Sequence, residues 1–399
     1  MTITIHRGQN QIGGSIIEIS SDTTKIILEA GSELDEEIPV APQIEGLFCG
    51  RASYNAVFIS HYHGDHLGLC DQILPDIPIY IGKSAADVTN TARRYMHKPE
   101  YRFAGFYKSG KTVTIGDICI TPYLCDHSAF DSYMFHISCG GKALLYSGDF
   151  RSNGRKSFSH LLHNLPHADA LIVEGTTLSR TGMQPQTEAE LEAAAVKEMA
   201  KTEAPVFVLQ AATNIDRLVT VFKAARRSGR ILLQDLYMAE IASAAGDNIP
   251  NPKTFSSIRV FITGGRNGRH EMLDRNYLKT KIGRAGIAKQ KFVMCVRPSM
   301  HSYLEKLAEE IPFDGGILLY SMWDGYKAKE DVADFLRFMQ GKGLRIMELH
   351  TSGHADSAAI RALIEAVDPK YLIPVHTENA EWFEENTGRT VVSSKDITL

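Results

Sequence analysis

The segment His61-Tyr62-His63-Gly64-Asp65-His66 gathers three imidazoles and a carboxylate into six residues. Imidazole nitrogens and carboxylate oxygens are the ligands that divalent transition metals take, and four at this spacing suit the start of two metal sites. A lone histidine is usually a packed or solvated residue; the clustering is what singles these out. The preceding run Ala56-Val57-Phe58-Ile59 reads as a buried strand that delivers the ligands at its carboxyl end.

The same device recurs along the chain. A strand-like stretch from Ile118 to Tyr123 runs on through Leu124-Cys125-Asp126 to His127. Lys142 to Tyr146 ends in Ser147-Gly148-Asp149, and Leu171-Ile172-Val173 ends in Glu174. Leu344 to Leu349 leads into His350-Thr351-Ser352-Gly353-His354, and Lys370 to Val375 into His376. Each of these alone is weak, since an aspartate after glycine is commonly just a turn residue. His136, by contrast, falls inside a strand and reads as packed.

At 399 residues, 44% hydrophobic and 23% charged, the chain has room for two folded domains. A net charge of -4 and a pI near 6.4 argue weakly against a whole-surface nucleic-acid binder, so any polyanion contact is expected from a local basic patch. One candidate is the stretch from Arg259 to Arg297, where ten Lys or Arg face only Glu271 and Asp274. It reads equally as a solvated face or as a phosphate-binding surface, with Arg266 and Arg269 as the residues to test. Six cysteines without C-x-x-C spacing point to a reduced, cytoplasmic chain. The amino terminus lacks a signal-like pattern and no run of eighteen apolar residues occurs, so neither secretion nor membrane spanning is expected.

The opening residues read as hairpins around Gly13-Gly14. After Glu174 the pattern changes: a helix from Thr187 to Lys201, a strand from Pro205 to Leu209, a helix through Ile215, Leu218 and Phe222, and a strand from Ile231. This rhythm predicts a parallel α/β unit inserted into the hairpin-rich half. The expected segments are 1–177, an insert over 178–340, and a return over 341–399. Trp323, at the end of the strand Ile317 to Tyr320, is expected to pack, with base stacking as the alternative.

Taken together, the histidine-rich segment, Glu174, Ser352-Gly353-His354-Ala355 and Pro374-Val375-His376-Thr377-Glu378 resemble the motifs of the β-CASP group of the metallo-β-lactamase superfamily, in its RNase J-like form. The resemblance spans nearly the whole chain. It implies an α/β fold: a metallo-β-lactamase αββα sandwich with an inserted β-CASP α/β domain. It assigns His61, His63 and His127 to one divalent metal and Asp65, His66 and His376 to another, with Asp149 bridging. Zinc is the first expectation and manganese the second. It also gives Glu174 and His354 as the catalytic acid pair, Asp65 a catalytic part, His350 as the alternative proton donor, and Ser352 and Gly353 as contacts to the scissile phosphate. The chain departs from the family at Glu29, where an aspartate is usual; this alters the group that orients a metal-bound histidine. The separate carboxyl-terminal domain of RNase J is not expected, so homo-oligomerisation is left open.

The implied activity is two-metal hydrolysis of RNA phosphodiester bonds, exo- or endonucleolytic, on single-stranded RNA. The insert is expected to close over the metals, since the chain leaves for it after Glu174 and returns before His350. The rivals are a hydrolase of DNA or of a small phosphoester or ester, and an inactive nucleic-acid-binding scaffold.

Overall fold

The computed structural model describes residues 1–399 apart from 35, 37, 181–184 and 265–267. Arg266 therefore lies outside the described residues. The chain divides into two units, Met1–Pro185 with Gly353–Leu399, and Gln186–Ser352. Among the described residues the first unit holds two seven-stranded sheets.

The first sheet runs, in spatial order, Asp396–Thr398, Thr2–Arg7, Ile16–Ser20, Lys25–Leu28, Ala56–Phe58, Ile79–Gly82 and Gly105–Tyr107. The second runs Thr390–Val391, Tyr371–Val375, Ala170–Glu174, Lys142–Tyr146, Ser132–Cys139, Ile118–Cys125 and Val113–Ile115. One apolar cluster joins them, with Ile3, Ile17 and Phe58 from the first sheet against Phe135, Ile172 and Ile373 from the second. Helices cover the outer faces. Lys83–Tyr95 buries Ala85, Val88 and Ala92, while Leu161 and Leu363 of Phe158–Asn164 and Ser357–Val367 join a cluster with Leu145 and Leu171. This is the expected αββα sandwich.

The arrangement of the second sheet is what gathers the site. Lys142–Tyr146, Ala170–Glu174 and Tyr371–Val375 pair in parallel. Ile118–Cys125 and Lys142–Tyr146 are both antiparallel to Ser132–Cys139, so they run the same way as each other. Four strands thus open onto one edge, each followed or ended by a candidate ligand or acid.

In the second unit the strands Ile258–Phe261, Ile231–Asp235, Phe292–Val296, Val206–Leu209, Ile317–Tyr320 and Arg345–Glu348 form a parallel sheet in that order. A near-continuous apolar sequence such as Val206-Phe207-Val208-Leu209 is what a strand covered on both faces requires. The helix Glu188–Met199 opens with a capping box between Thr187 and Glu190. Both unit boundaries fall later than the sequence suggested. Arg345–Glu348 pairs with Ile317–Tyr320, so residues 341–352 belong with the insert rather than with the return segment. No helix among the described residues is long and apolar enough to cross a membrane.

Candidate metal centre

The strand Ala56–Phe58 ends three residues before His61, and the rest of the motif enters a short helix, Gly64–Leu67, that carries Asp65 and His66. His127 follows Cys125 by two residues, Asp149 follows Tyr146 through Ser147-Gly148, and His376 follows Val375 directly in a left-handed backbone conformation. The fold brings these seven residues together as two groups. His61, His63 and His127 form one; Asp65, His66, Asp149 and His376 form the other, with the ligand atoms of each group within 4.8 Å of one another.

Asp149 lies between the groups. Its Oδ2 is 3.2 Å from His66 Nε2, 3.8 Å from His61 Nε2, and 3.9 Å from both His127 Nε2 and His376 Nε2. Both Asp149 oxygens, His61 Nε2 and both His66 nitrogens are buried without a hydrogen-bond partner. An unsatisfied buried polar atom costs about 1–3 kcal/mol, so five together are a strong sign that the centre is completed by something positively charged. Burial, reinforced by neighbouring imidazoles, holds His61 and His127 well below the usual imidazole range, and burial brings His63 down to about 4. Asp149 is pushed up by burial, but His376, His66 and His354 outweigh this and hold it well below the carboxylate range. Neutral imidazoles at His61, His63 and His127 and an ionised Asp149 are the forms that bind cations. Burial lowers His66, but Asp149 and Asp65 outweigh it and hold His66 well above the imidazole range, a positive charge that a bound cation would replace. The donor set thus fits a divalent-metal site.

The groups behind the ligands fix their orientation. His127 Nδ1 donates to the Gly353 carbonyl at 2.5 Å, which leaves Nε2 turned to the site. His376 Nδ1 is 2.8 Å from Thr176 Oγ1, which in turn donates to Glu174 Oε2 at 2.7 Å. Glu29, buried in a left-handed conformation, accepts from the Ser60 amide at 3.1 Å and lies 3.6 Å from His66 Nδ1. The extra methylene thus still places a carboxylate behind His66. Thr176 was missed by sequence reasoning; its only signal is the pattern Glu174-Gly175-Thr176, too common to single out.

His354 stands beside the ligands. It is 22% exposed, with Nδ1 3.1 Å from Glu174 Oε2 and 3.5 Å from Asp149 Oδ2. Burial lowers its pKa, but Glu174 and Asp149 outweigh burial and raise it to about 9. Glu174 is buried and fully engaged, since it also accepts from the Phe150 amide at 2.9 Å. It is therefore placed to act through His354. Gly353 belongs to this unit through its bond to His127, whereas His350 and Ser352 lie on the segment that closes the second unit after Arg345–Glu348.

The basic stretch is less free than its composition suggested. Acids from elsewhere in the second unit reach into it: Arg284 pairs with Glu310 at 2.9 Å, Lys291 with Glu203 at 2.6 Å and Arg297 with Asp235 at 2.5 Å. Lys281 pairs with Asp274 inside it. Arg269 opens the helix Arg269–Tyr277.

Comparison with known proteins finds the same resemblance. Residues 11–186 match the metallo-beta-lactamase superfamily, and residues 343–392 match the Zn-dependent metallo-hydrolase RNA specificity domain. Similar curated proteins include Ribonuclease J of Sinorhizobium meliloti, 22% identical over 88% of this chain and 62% of that protein. Ribonuclease J2 of Bacillus subtilis is 21% identical over 93% of this chain and 68% of its own length. The chain thus spans about three fifths of the first of these relatives. A crystal structure of a protein of unknown function from Enterococcus faecalis shares the fold, with a TM-score of 0.82 over 100% of this chain and 99% of the other at 19% identity. Residues 11–186 thus carry a metallo-beta-lactamase superfamily domain, and the chain as a whole is similar to the ribonuclease J proteins.

Proposed function

We propose that the protein is a cytoplasmic, metal-dependent ribonuclease that hydrolyses phosphodiester bonds of single-stranded RNA. The observation that carries the reading is the buried Asp149 carboxylate, unpartnered by hydrogen bonds and set between two groups of ligand-type side chains. His61, His63 and His127 would hold one divalent cation and Asp65, His66 and His376 the other, with Asp149 shared; the nitrogen-rich set favours zinc over manganese. Cations bound there supply Lewis acidity, offsetting phosphate charge and acidifying water.

The chain's own residues do the rest. Glu174 accepts from His354 Nδ1 and keeps the imidazole protonated, so His354 carries a proton on Nε2 that it can give to the leaving 3′ oxygen. Thr176 couples the same carboxylate to His376, so one buried acid sets the direction of two imidazoles. The names of the relatives and the RNA specificity match support RNA as the substrate. The six cysteines, all unpaired, suit a reducing compartment.

The test is metal analysis followed by incubation of the metal-loaded protein with end-labelled single-stranded RNA, single-stranded DNA and a generic phosphodiester. Two ions per chain, lost in Asp149→Ala, and metal-dependent cleavage of RNA are expected; product lengths distinguish exo- from endonucleolytic cleavage. A metal content near zero after reconstitution, or cleavage confined to the generic diester, would overturn the reading.

A further inference from the structure

We propose that Trp323 and Tyr326, in the second unit, form a stacking platform for an unpaired nucleobase of single-stranded RNA. The inference deepens the ribonuclease reading and rests on it for the choice of RNA. Sequence alone favoured packing for Trp323, yet the residue is 51% exposed and Tyr326 36%. The strand Ile317–Tyr320 is too short to cover it, and the chain leaves the sheet through Ser321 and Met322 before reaching it. It emerges at the carboxyl end of a parallel strand, the end at which open α/β sheets take ligands.

The backbone that carries the indole is held in place. The Trp323 carbonyl accepts from the Tyr320 hydroxyl at 3.0 Å and from the Tyr326 amide at 3.1 Å. The ring lies across Gly325 so closely that a Cβ there would come within 2.3 Å of it, so only glycine permits this pose. Tyr326 meets it edge-on, with centroids 5.5 Å apart and planes at 85°. An indole packed against Gly325 and Tyr326 while half its surface stays in water has less rotamer freedom left to lose on binding a ligand. Lys329 places its ammonium 4.9 Å over the Tyr326 ring and adds a cation to the platform.

The surroundings select the occupant. A stable protein interface buries roughly 1,000 Å² or more of surface in all around an apolar core, whereas these two rings are a small patch bordered by exposed Asp324, Lys329 and Glu330. Lys327 is already engaged by Asp324 at 2.6 Å and by Glu348, so the patch is not a phosphate track. A flat π surface fits, and its binding should depend little on salt.

The chain has two tryptophans, and Trp382 is partly buried against Phe383 and Arg361. Quenching of indole emission by an added strand therefore reports mainly on Trp323. The metal-loaded protein is titrated with a hydrolysis-resistant phosphorothioate oligoadenylate and with an abasic strand of equal length. The oligoadenylate should quench and the abasic strand should not. Trp323→Phe should abolish the quench while keeping most of the affinity, and Trp323→Ala should weaken binding roughly tenfold at low and high salt alike. Equal affinity of Trp323→Ala and the parent, or equal quenching by the abasic strand, would overturn the proposal. So would a changed oligomeric state in Trp323→Ala with RNA affinity intact, which assigns the rings to a protein contact. The two readings fail separately: base-dependent quenching in a protein that leaves RNA intact sinks the ribonuclease alone, and RNA cleavage without any Trp323 effect sinks the platform alone.

Discussion

Asp126→Ala should destabilise the first unit far more than removal of a surface charge would. Asp126 and Arg151 are 2% and 1% exposed, and Arg151 Nε donates to Asp126 Oδ1 at 2.6 Å. Asp126 Oδ2 accepts from the Lys156 amide at 2.7 Å, and Gly154 lies so close that a Cβ there would be 1.8 Å from Oδ1. Removing one partner of a buried pair costs about 3–5 kcal/mol, against about 0–1 kcal/mol for an exposed one. The abandoned Lys156 amide adds about 1 kcal/mol, while Arg151 keeps other interactions that soften its loss. The expected cost is therefore about 4 kcal/mol, in the middle of the buried-pair range. Asp126→Ala combined with Arg151→Met should recover part of it, because the second change removes the buried guanidinium left without its carboxylate. Urea unfolding of the EDTA-treated protein measures this. In a Trp323→Phe background Trp382 is the only indole, so its fluorescence follows the first unit. Metal affinity should fall as well: Asp126 precedes His127, Arg151 lies two residues past Asp149, and the Arg151 amide donates to the Asp126 carbonyl at 2.8 Å. A loss below about 1 kcal/mol, or a double variant no more stable than the single one, would refute the assignment of this pair as the tie between the two ligand loops.

His354→Ala should keep its metal while losing about a hundredfold or more in RNA turnover, the scale of a general acid; unchanged turnover at full metal content would remove the proton-donor role. For the basic stretch, Arg275, Lys279 and Lys289 are exposed and make no ion pair among the described residues. If they meet phosphates, replacing all three with alanine should flatten the salt dependence of RNA affinity by about 2 in slope, at about 0.7 per contact on single strands. A slope unchanged from the parent would make the stretch a solvated face.

The ligand-type residues were legible in the sequence because each follows a short apolar strand, and a strand end is a local pattern. The inserted α/β unit was legible for the same reason, through the switch from hairpin-like alternation to a strand-helix rhythm, whereas the αββα sandwich followed only from the resemblance of the histidine-rich motifs to the metallo-β-lactamase superfamily. What the sequence could not contain is which distant groups meet. Asp149 draws in His127 and His376 because their strands open onto the same edge of one sheet as its own, and His61 and His66 because Ala56–Phe58 of the other sheet ends beside that edge. Thr176 matters only because Val375 pairs beside Glu174 and delivers His376 next to it. The basic stretch looked unopposed because charge was counted along the chain, whereas Glu203, Asp235 and Glu310 arrive from elements far away in sequence. Trp323 looked like core because it follows a buried strand. The sheet ends at Tyr320, Gly325 clears space for the indole on the surface, and solvent exposure is a property that only the folded chain decides.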